Sequence, residues 1–181
     1  GNLADVYASM GDYDEALDYF EKGLLLAREI GSKDIEIYTL NGLSSALIAK
    51  GFYSNAIMNC KIALNIAQDI GIQQEEAIAF GLIGVTLDLL GSYNDAREYM
   101  NNSLNIADEI GFQVGKCSSL GYLGLIYHHL GKNITTQQYC HQSLEINQEL
   151  DDPSSRATVL TILGYAHQGT GMLAESVECF Q

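Results

Sequence analysis

Several residue types are scarce in this sequence of 181 residues. Tryptophan is absent, proline occurs once at Pro153, and only nine residues are Lys or Arg against 23 Asp and Glu, for a net charge of −14. Nucleic-acid binding depends on clustered Lys and Arg, and anionic membranes attract the same cations. We therefore expect neither a nucleic acid nor a membrane as partner. The acidity itself indicates either simple solubility or electrostatic steering of a basic partner.

Long apolar runs and cysteine pairs are also missing. No run approaches the roughly 20 apolar residues of a transmembrane helix, and the acidic first residues do not resemble a secretory signal. The four cysteines form no CxxC pair. Reduced thiols without a targeting signal favour a cytoplasmic protein.

Catalytic motifs are absent too. No phosphate-binding loop or nucleophile-elbow motif occurs, and the glycine pairs within 81–84 and 121–124 fall inside predicted helices. The adjacent His128 and His129 suggest a metal site, but neighbouring helical residues point about 100° apart and rarely share a metal ion. A hydrogen-bonding role for these histidines is favoured. We therefore expect no enzyme, no metal and no cofactor.

Glycine, in contrast, is abundant and regularly spaced. Written in rows of 40 residues, the chain aligns with itself without a gap. One column holds Gly11, Gly51, Gly91, Gly131 and Gly171, and a second holds Gly31, Gly71 and Gly111 with Asp151 as its fourth member. We therefore divide residues 1–181 into a single array with registers 1–40, 41–80, 81–120, 121–160 and a truncated 161–181.

The apolar residues between the glycines have helical spacing. Leu40, Leu43 and Leu47 recur at i, i+3 and i+7, which predicts a helix before each glycine of the first column. A second stripe follows that glycine, and a left-handed glycine ends a helix at the lowest cost. Residues suited to cap the helices are Asp14, Ser54, Asn94 and, before the single proline, Asp152. The unit is helix, turn, helix, turn, and no strand is needed.

Small residues also share columns within these helices. Gly84, Gly124 and Gly164 align in the first helix of the unit, and Ala16, Ala56 and Ala96 align in the second. A glycine inside a helix costs about 1 kcal/mol relative to alanine. Its recurrence therefore predicts that the two helices of a hairpin approach closely. One hairpin cannot bury its apolar faces alone, so the hairpins must stack.

The order Leu123, Gly124, Tyr127, Gly131, followed by a small residue and an aromatic in other rows, resembles the tetratricopeptide repeat. The 40-residue unit is similar to the long variety found in Leu-Gly-Asn-repeat G-protein regulators and in bacterial signalling ATPases and transcription activators. The resemblance covers essentially the whole chain and implies an all-α, right-handed superhelical solenoid of antiparallel helix hairpins. In the fourth register Asn133, Thr136 and Cys140 depart from the pattern, and we expect a looser hairpin there.

The resemblance also implies that the first helix of each hairpin lines a concave groove. Twelve residues on these helices are the candidate partner-binding positions: Asp5, Asn41, Ser45, Ile48, Val85, Asp88, Leu89, Tyr122, Leu125, His128, His129 and Tyr165. The rows lack the Lys and Arg with which related chaperone-binding domains grip a peptide's terminal carboxylate. We expect instead a partly apolar peptide or helix, with basic residues to complement Asp5 and Asp88.

The pattern therefore predicts a protein-interaction module. The resemblance implies a regulatory or sensor part of a larger signalling protein, and the chain, which opens without methionine inside the repeat pattern, is expected to be a piece of one. Two alternatives stay open. The array ends expose apolar helix faces that could form a homodimer, and the groove could close on a small molecule as a sensor of a transcription regulator.

Overall fold

The computed structural model describes residues 3–180, and within them the chain is helical apart from short turns. The described part contains ten helices: α1 Leu3–Met10, α2 Tyr13–Ile30, α3 Lys33–Ala49, α4 Tyr53–Ile70, α5 Gln73–Leu89, α6 Tyr93–Glu109, α7 Gln113–His129, α8 Asn133–Leu150, α9 Pro153–Thr170 and α10 Leu173–Phe180. Consecutive helices pack as antiparallel hairpins, numbered 1 to 5 from α1–α2 to α9–α10. The all-α array of hairpins is as the sequence predicts.

The glycine columns form the turns. The eight glycines of the two columns all have positive φ, between 69° and 84°. The turn after α1 shows the bonding: Gly11 N–H donates to the carbonyl of Ala8 at 3.1 Å, and Asp12 N–H donates to that of Tyr7 at 2.9 Å. Asp151, the expected fourth member of the second column, also has a positive φ of 51°. The predicted left-handed helix ends are therefore confirmed.

The predicted caps are only partly right. Asp152 accepts hydrogen bonds from the backbone of Ser154 and Ser155 at 3.0 and 3.3 Å, as expected. The prediction that Asp14, Ser54 and Asn94 are N-caps is wrong. Each of α2, α4 and α6 begins one residue before the predicted cap, so the three residues lie inside the helices. Backbone hydrogen bonds in the two-residue turns start each helix. The capping residues Asp12, Phe52 and Ser92 form no hydrogen bond through their side chains.

The helices of each hairpin approach closely at the small residues. A Cβ on Gly84 would lie 3.2 Å from the Ala96 carbonyl oxygen and 3.3 Å from the Met100 backbone nitrogen. A Cβ on Gly124 would lie 2.9 Å from the sulfur of Cys140. Cys140 is fully buried. The expectation of a looser hairpin 4 is therefore wrong at this position. A cysteine simply fills the space that an aromatic residue fills in hairpin 1.

The two helices of a hairpin have different neighbours along the array. The backbone of each odd-numbered helix approaches that of the next odd-numbered one, whereas within residues 3–180 the backbones of the even-numbered helices do not approach one another. The odd-numbered helices are therefore closer together and form the inner side of the array. We call their solvent-facing side the inner face. It carries one residue per hairpin in a row: Asp5, Ser45, Val85, Leu125 and Tyr165.

Polar pairs join consecutive hairpins across the turn that links one hairpin to the next. Arg28 Nε donates to Glu36 at 2.8 Å, and Lys33 also bonds the same buried carboxylate at 2.7 Å. Forty residues farther along the chain Gln68 and Glu76 pair in the same way. Another 40 residues along, Lys116 pairs with Asp108 with the charges exchanged. A complementary pair therefore recurs at these positions, and the acidic partner can stand on either side of the turn.

Candidate functional site

The inner face has a cavity of about 500 Å³ where hairpins 2, 3 and 4 meet. Its walls come from α3, α5 and α7, and its floor reaches Met100 and Ser103 of α6. The remaining lining residues are Ser45, Ile48, Ala49, Ala77, Ile78, Gly81, Leu82, Val85, Phe112, Val114, Gly115, Ser118, Ser119 and Tyr122. None of these side chains carries a formal charge. We call this recess the apolar cavity.

Four of the predicted site residues meet in the apolar cavity. They are Ser45, Ile48, Val85 and Tyr122, contributed by three different helices. Tyr122 sits at the rim, 40% exposed, where burial and secondarily the Asp88 charge raise the pKa of its hydroxyl. The phenol therefore stays a neutral hydrogen-bonding group.

Leu125 lines a second, smaller recess of about 250 Å³ beside the first. Tyr122 separates the two recesses and lines both. The second recess is more polar, since the hydroxyls of Ser118, Ser155 and Thr158 border it. The inner face therefore offers an apolar recess and a hydroxyl-rich one side by side.

A histidine cluster lies near the C-terminal ends of α5 and α7. Asp88 Oδ1 and His129 Nδ1 are 2.8 Å apart, and the Asp88 carboxylate is almost fully buried beneath the imidazole. The His129 ring also contacts Tyr93, with centroids 5.2 Å apart, while His128 stacks on Tyr165 at 6.0 Å. The pair joins α5 to α7, so these histidines have structural contacts. Within residues 3–180 no group of three metal-binding side chains exists.

Three other predicted residues have different surroundings. Asn41 is buried, and its Nδ2 donates to the Glu75 carboxylate of α5 at 2.8 Å. Asp5 accepts a hydrogen bond from the Tyr38 hydroxyl of α3. Leu89, in contrast, lies on the last turn of α5 and is 52% exposed. Asn41 and Asp88 therefore bond neighbouring helices, whereas Leu89 faces solvent.

The buried cysteines offer no reactive thiol. Burial raises the pKa of Cys60 to about 11 and that of Cys140 to about 12. Both side chains are completely shielded from solvent. They act as small apolar side chains, since the thiolate is the reactive form of cysteine.

Twelve of the sixteen residues that line the apolar cavity are not among the candidate positions. Ile78 lies in the second turn of α5, and Phe112 and Val114 lie at the start of α7, well before the candidate rows. The signal that could have found them is the column of Gly81 and Gly121. A helical glycine that faces inward leaves space, and this space can expose residues of the neighbouring hairpin to solvent.

The sequence and structure can be compared with known proteins at this point. Residues 1–51 match the family model described as tetratricopeptide repeat, and the later hairpins repeat the same packing. This segment is therefore similar to tetratricopeptide repeats. No curated protein sequence matches the chain. No helix in the described part is long and apolar enough to cross a membrane.

Solved structures share the fold over nearly the whole length. BtubC (BKLC) from P. vanneervenii superposes with a TM-score of 0.80 at 20% identity, over 98% of this chain and 74% of that one. Kinesin light chain TPR-like repeats from Podosopora anserina give 0.71 at 18% identity, over 98% and 88%. A Rap protein complexed with Competence and Sporulation Factor gives 0.84 at 20% identity, over 98% of this chain and half of that one. At these identities the likeness establishes a superhelical repeat fold.

Proposed function

We propose that this chain is a protein-interaction module that binds a segment of a partner protein against its inner face. The observation that carries the proposal is the exposure of apolar and aromatic side chains there. Leu89, Tyr122 and Tyr165 are 52%, 40% and 49% exposed. Exposed aromatic residues around a recess are typical anchors of protein recognition.

The chemistry of the inner face favours a partly apolar partner segment. None of the residues that line the two recesses is Lys or Arg. A terminal carboxylate would therefore find no cation with which to pair in either recess. The net charge of −14 favours approach of a segment that also carries basic residues.

We further propose that the module serves a larger regulatory protein without being catalytic itself. The Rap protein of similar fold was solved in complex with Competence and Sporulation Factor, and this chain spans half of that protein. Burial of the thiols of Cys60 and Cys140 leaves these two groups without nucleophilic character. The long variety of the repeat, the position in a cytoplasmic signalling protein and self-association through the array ends stay predictions.

A peptide-display selection tests the proposal. A selected peptide should bind the Leu89→Arg variant at least about tenfold more weakly, equal to 1.4 kcal/mol, because a charge enters the apolar contact. Met58→Arg on α4 is the matched control, since Met58 is 56% exposed but lies on an even-numbered helix. A peptide whose affinity falls for Met58→Arg and not for Leu89→Arg would contradict binding at the inner face.

A further inference from the structure

The apolar cavity exists because two small residues face each other across hairpins 3 and 4. Gly81 of α5 leaves its inward position empty, and a Cβ there would meet only Ser103, with the hydroxyl 3.3 Å away. Ser119 of α7 stands opposite and also lines the cavity. The combination lets the cavity extend to the buried side chains of Met100 and Ser103 on α6.

The equivalent positions elsewhere are more tightly filled. One hairpin later, a Cβ on Gly121 would lie 3.0 Å from a methyl group of Val159, which occupies the column of Ser119. One hairpin earlier, the glycine is replaced by Asn41, which is buried and bonded to Glu75. Within residues 3–180, the pairing of glycine with serine in these columns therefore occurs at one junction.

Hydrogen bonding at the cavity floor leaves an acceptor available. The Ser103 hydroxyl donates to the Ala77 carbonyl oxygen at 2.8 Å, which uses its single hydrogen. The Ser103 and Ser119 oxygens are 3.0 Å apart, so Ser119 must donate in that bond. Ser119 is 2% exposed and keeps lone pairs that can accept a hydrogen bond from a group in the cavity.

The lining also restricts the charge of an occupant. The walls are mostly aliphatic and aromatic and carry no charged side chain, so an ion would lose hydration without gaining an opposite charge. A volume of about 500 Å³ lies in the range of small-molecule sites, roughly 300–1,000 Å³. A single side chain from a partner would leave much of this space unfilled.

We propose that the apolar cavity binds an uncharged, largely apolar small molecule whose one O–H or N–H group donates to the Ser119 hydroxyl. This site goes beyond the binding of a protein segment and does not depend on it. The module would then respond to two different ligands at neighbouring parts of one face.

Fluorescence titration with 2-naphthol tests this proposal, because the probe is aromatic, uncharged at neutral pH and carries one hydroxyl. The chain has no tryptophan, so the probe signal is free of indole emission. Binding to the unmodified chain should be saturable. Naphthalene, which lacks the hydroxyl, should bind roughly fivefold more weakly, as expected for one lost hydrogen bond.

Two variants fill the cavity from opposite walls. Ser119→Val copies the residue of the next hairpin, and Gly81→Leu places a side chain in the opening; each should weaken 2-naphthol binding at least about tenfold. Thr161→Leu is the matched control, since Thr161 shares the column of Gly81 but lies outside the cavity. Circular dichroism establishes that each variant is folded.

The proposal is overturned if 2-naphthol does not saturate the unmodified chain. It is equally overturned if folded Ser119→Val and Gly81→Leu bind as tightly as Thr161→Leu. A chain that binds a selected peptide through Leu89 but fails to bind 2-naphthol would exclude the small-molecule site and leave the proposed function intact.

Discussion

Two successive junctions of the array, α5 with α7 and α7 with α9, occupy equivalent places in the repeat and have different interiors. In the first, Gly81 faces Ser119 and a cavity of about 500 Å³ remains. In the second, Gly121 faces Val159, which lies within contact distance of any added side chain. A serine therefore stands at the larger, apolar cavity, where a valine stands at the smaller and more polar recess.

Glycines at two positions of the same helix have different roles. Gly84 and Gly124 lie against the second helix of their own hairpin, where backbone atoms are close. Gly81 lies three residues before Gly84 and faces the cavity. Glycines of the first kind set the packing of hairpins 3 and 4, whereas those of the second kind set the local shape of the inner face. Recognition can therefore vary while the scaffold stays constant.

The largest expected effect comes from overfilling the hairpin interior. Gly84→Leu should destabilise the array by about 2–3 kcal/mol, because its side chain meets the backbone of Ala96 and Met100. Gly81→Leu gains the same helix propensity but enters the cavity, so its loss should stay below about 1 kcal/mol. Urea unfolding followed by circular dichroism measures both. Equal losses would show that the two glycines do not differ as described.

A smaller effect on stability is expected from removing the valine at the α7–α9 junction. Val159→Ser removes buried methyl groups beside Gly121 and should cost about 1–3 kcal/mol. The reciprocal Ser119→Val adds apolar volume where space exists but removes the hydrogen bond to Ser103, so it should cost no more than about 1 kcal/mol. Thermal unfolding of the two variants gives the comparison. A neutral Val159→Ser would mean that the second junction is not tightly filled.

The smallest expected effect concerns pH and the polar pairs between hairpins. Hydrogen bonds from Lys33 and Arg28 lower the pKa of Glu36 below its ordinary value of 4.5. A lowered folded-state pKa stabilises the fold above pH 4.5, and this contribution is lost as the pH falls through the folded pKa. Glu36→Gln should therefore unfold with a shallower dependence on acid pH. Urea midpoints measured from neutral pH down to pH 3 test it, and identical slopes would contradict it.

Asp108→Asn is the control for that experiment. Asp108 pairs with Lys116 at the equivalent position, but its side chain is 62% exposed. Exposed ion pairs contribute little because water screens them. We expect its unfolding profile to follow that of the unmodified chain closely, in contrast to the profile of Glu36→Gln.

Much of the fold follows from local sequence. Positive φ is costly for most residues, so the regular glycines locate the helix ends, and even Asp151 could be placed by its column. The same local rules misplaced the helix starts at Asp14 and Ser54. There the first turn follows from the bond of Asp12 N–H to the preceding helix, which no capping preference of a single residue encodes.

The site was less predictable because it depends on distant pairs. Helical periodicity placed Ser45, Ile48, Val85 and Tyr122 on one face, and they do meet in the cavity. It could not show that Asn41 bonds Glu75, 34 residues later, or that Asp88 bonds His129, 41 residues later. The cavity likewise depends on Gly81 facing Ser119, a pairing that only the stacking of hairpins defines.

A crystal structure of the chain with a display-selected peptide tests the central claim most directly. The account predicts that the peptide lies along the odd-numbered helices, with apolar side chains against Leu89, Tyr122 and Tyr165. A peptide bound to the even-numbered helices, with the inner face empty, would contradict it.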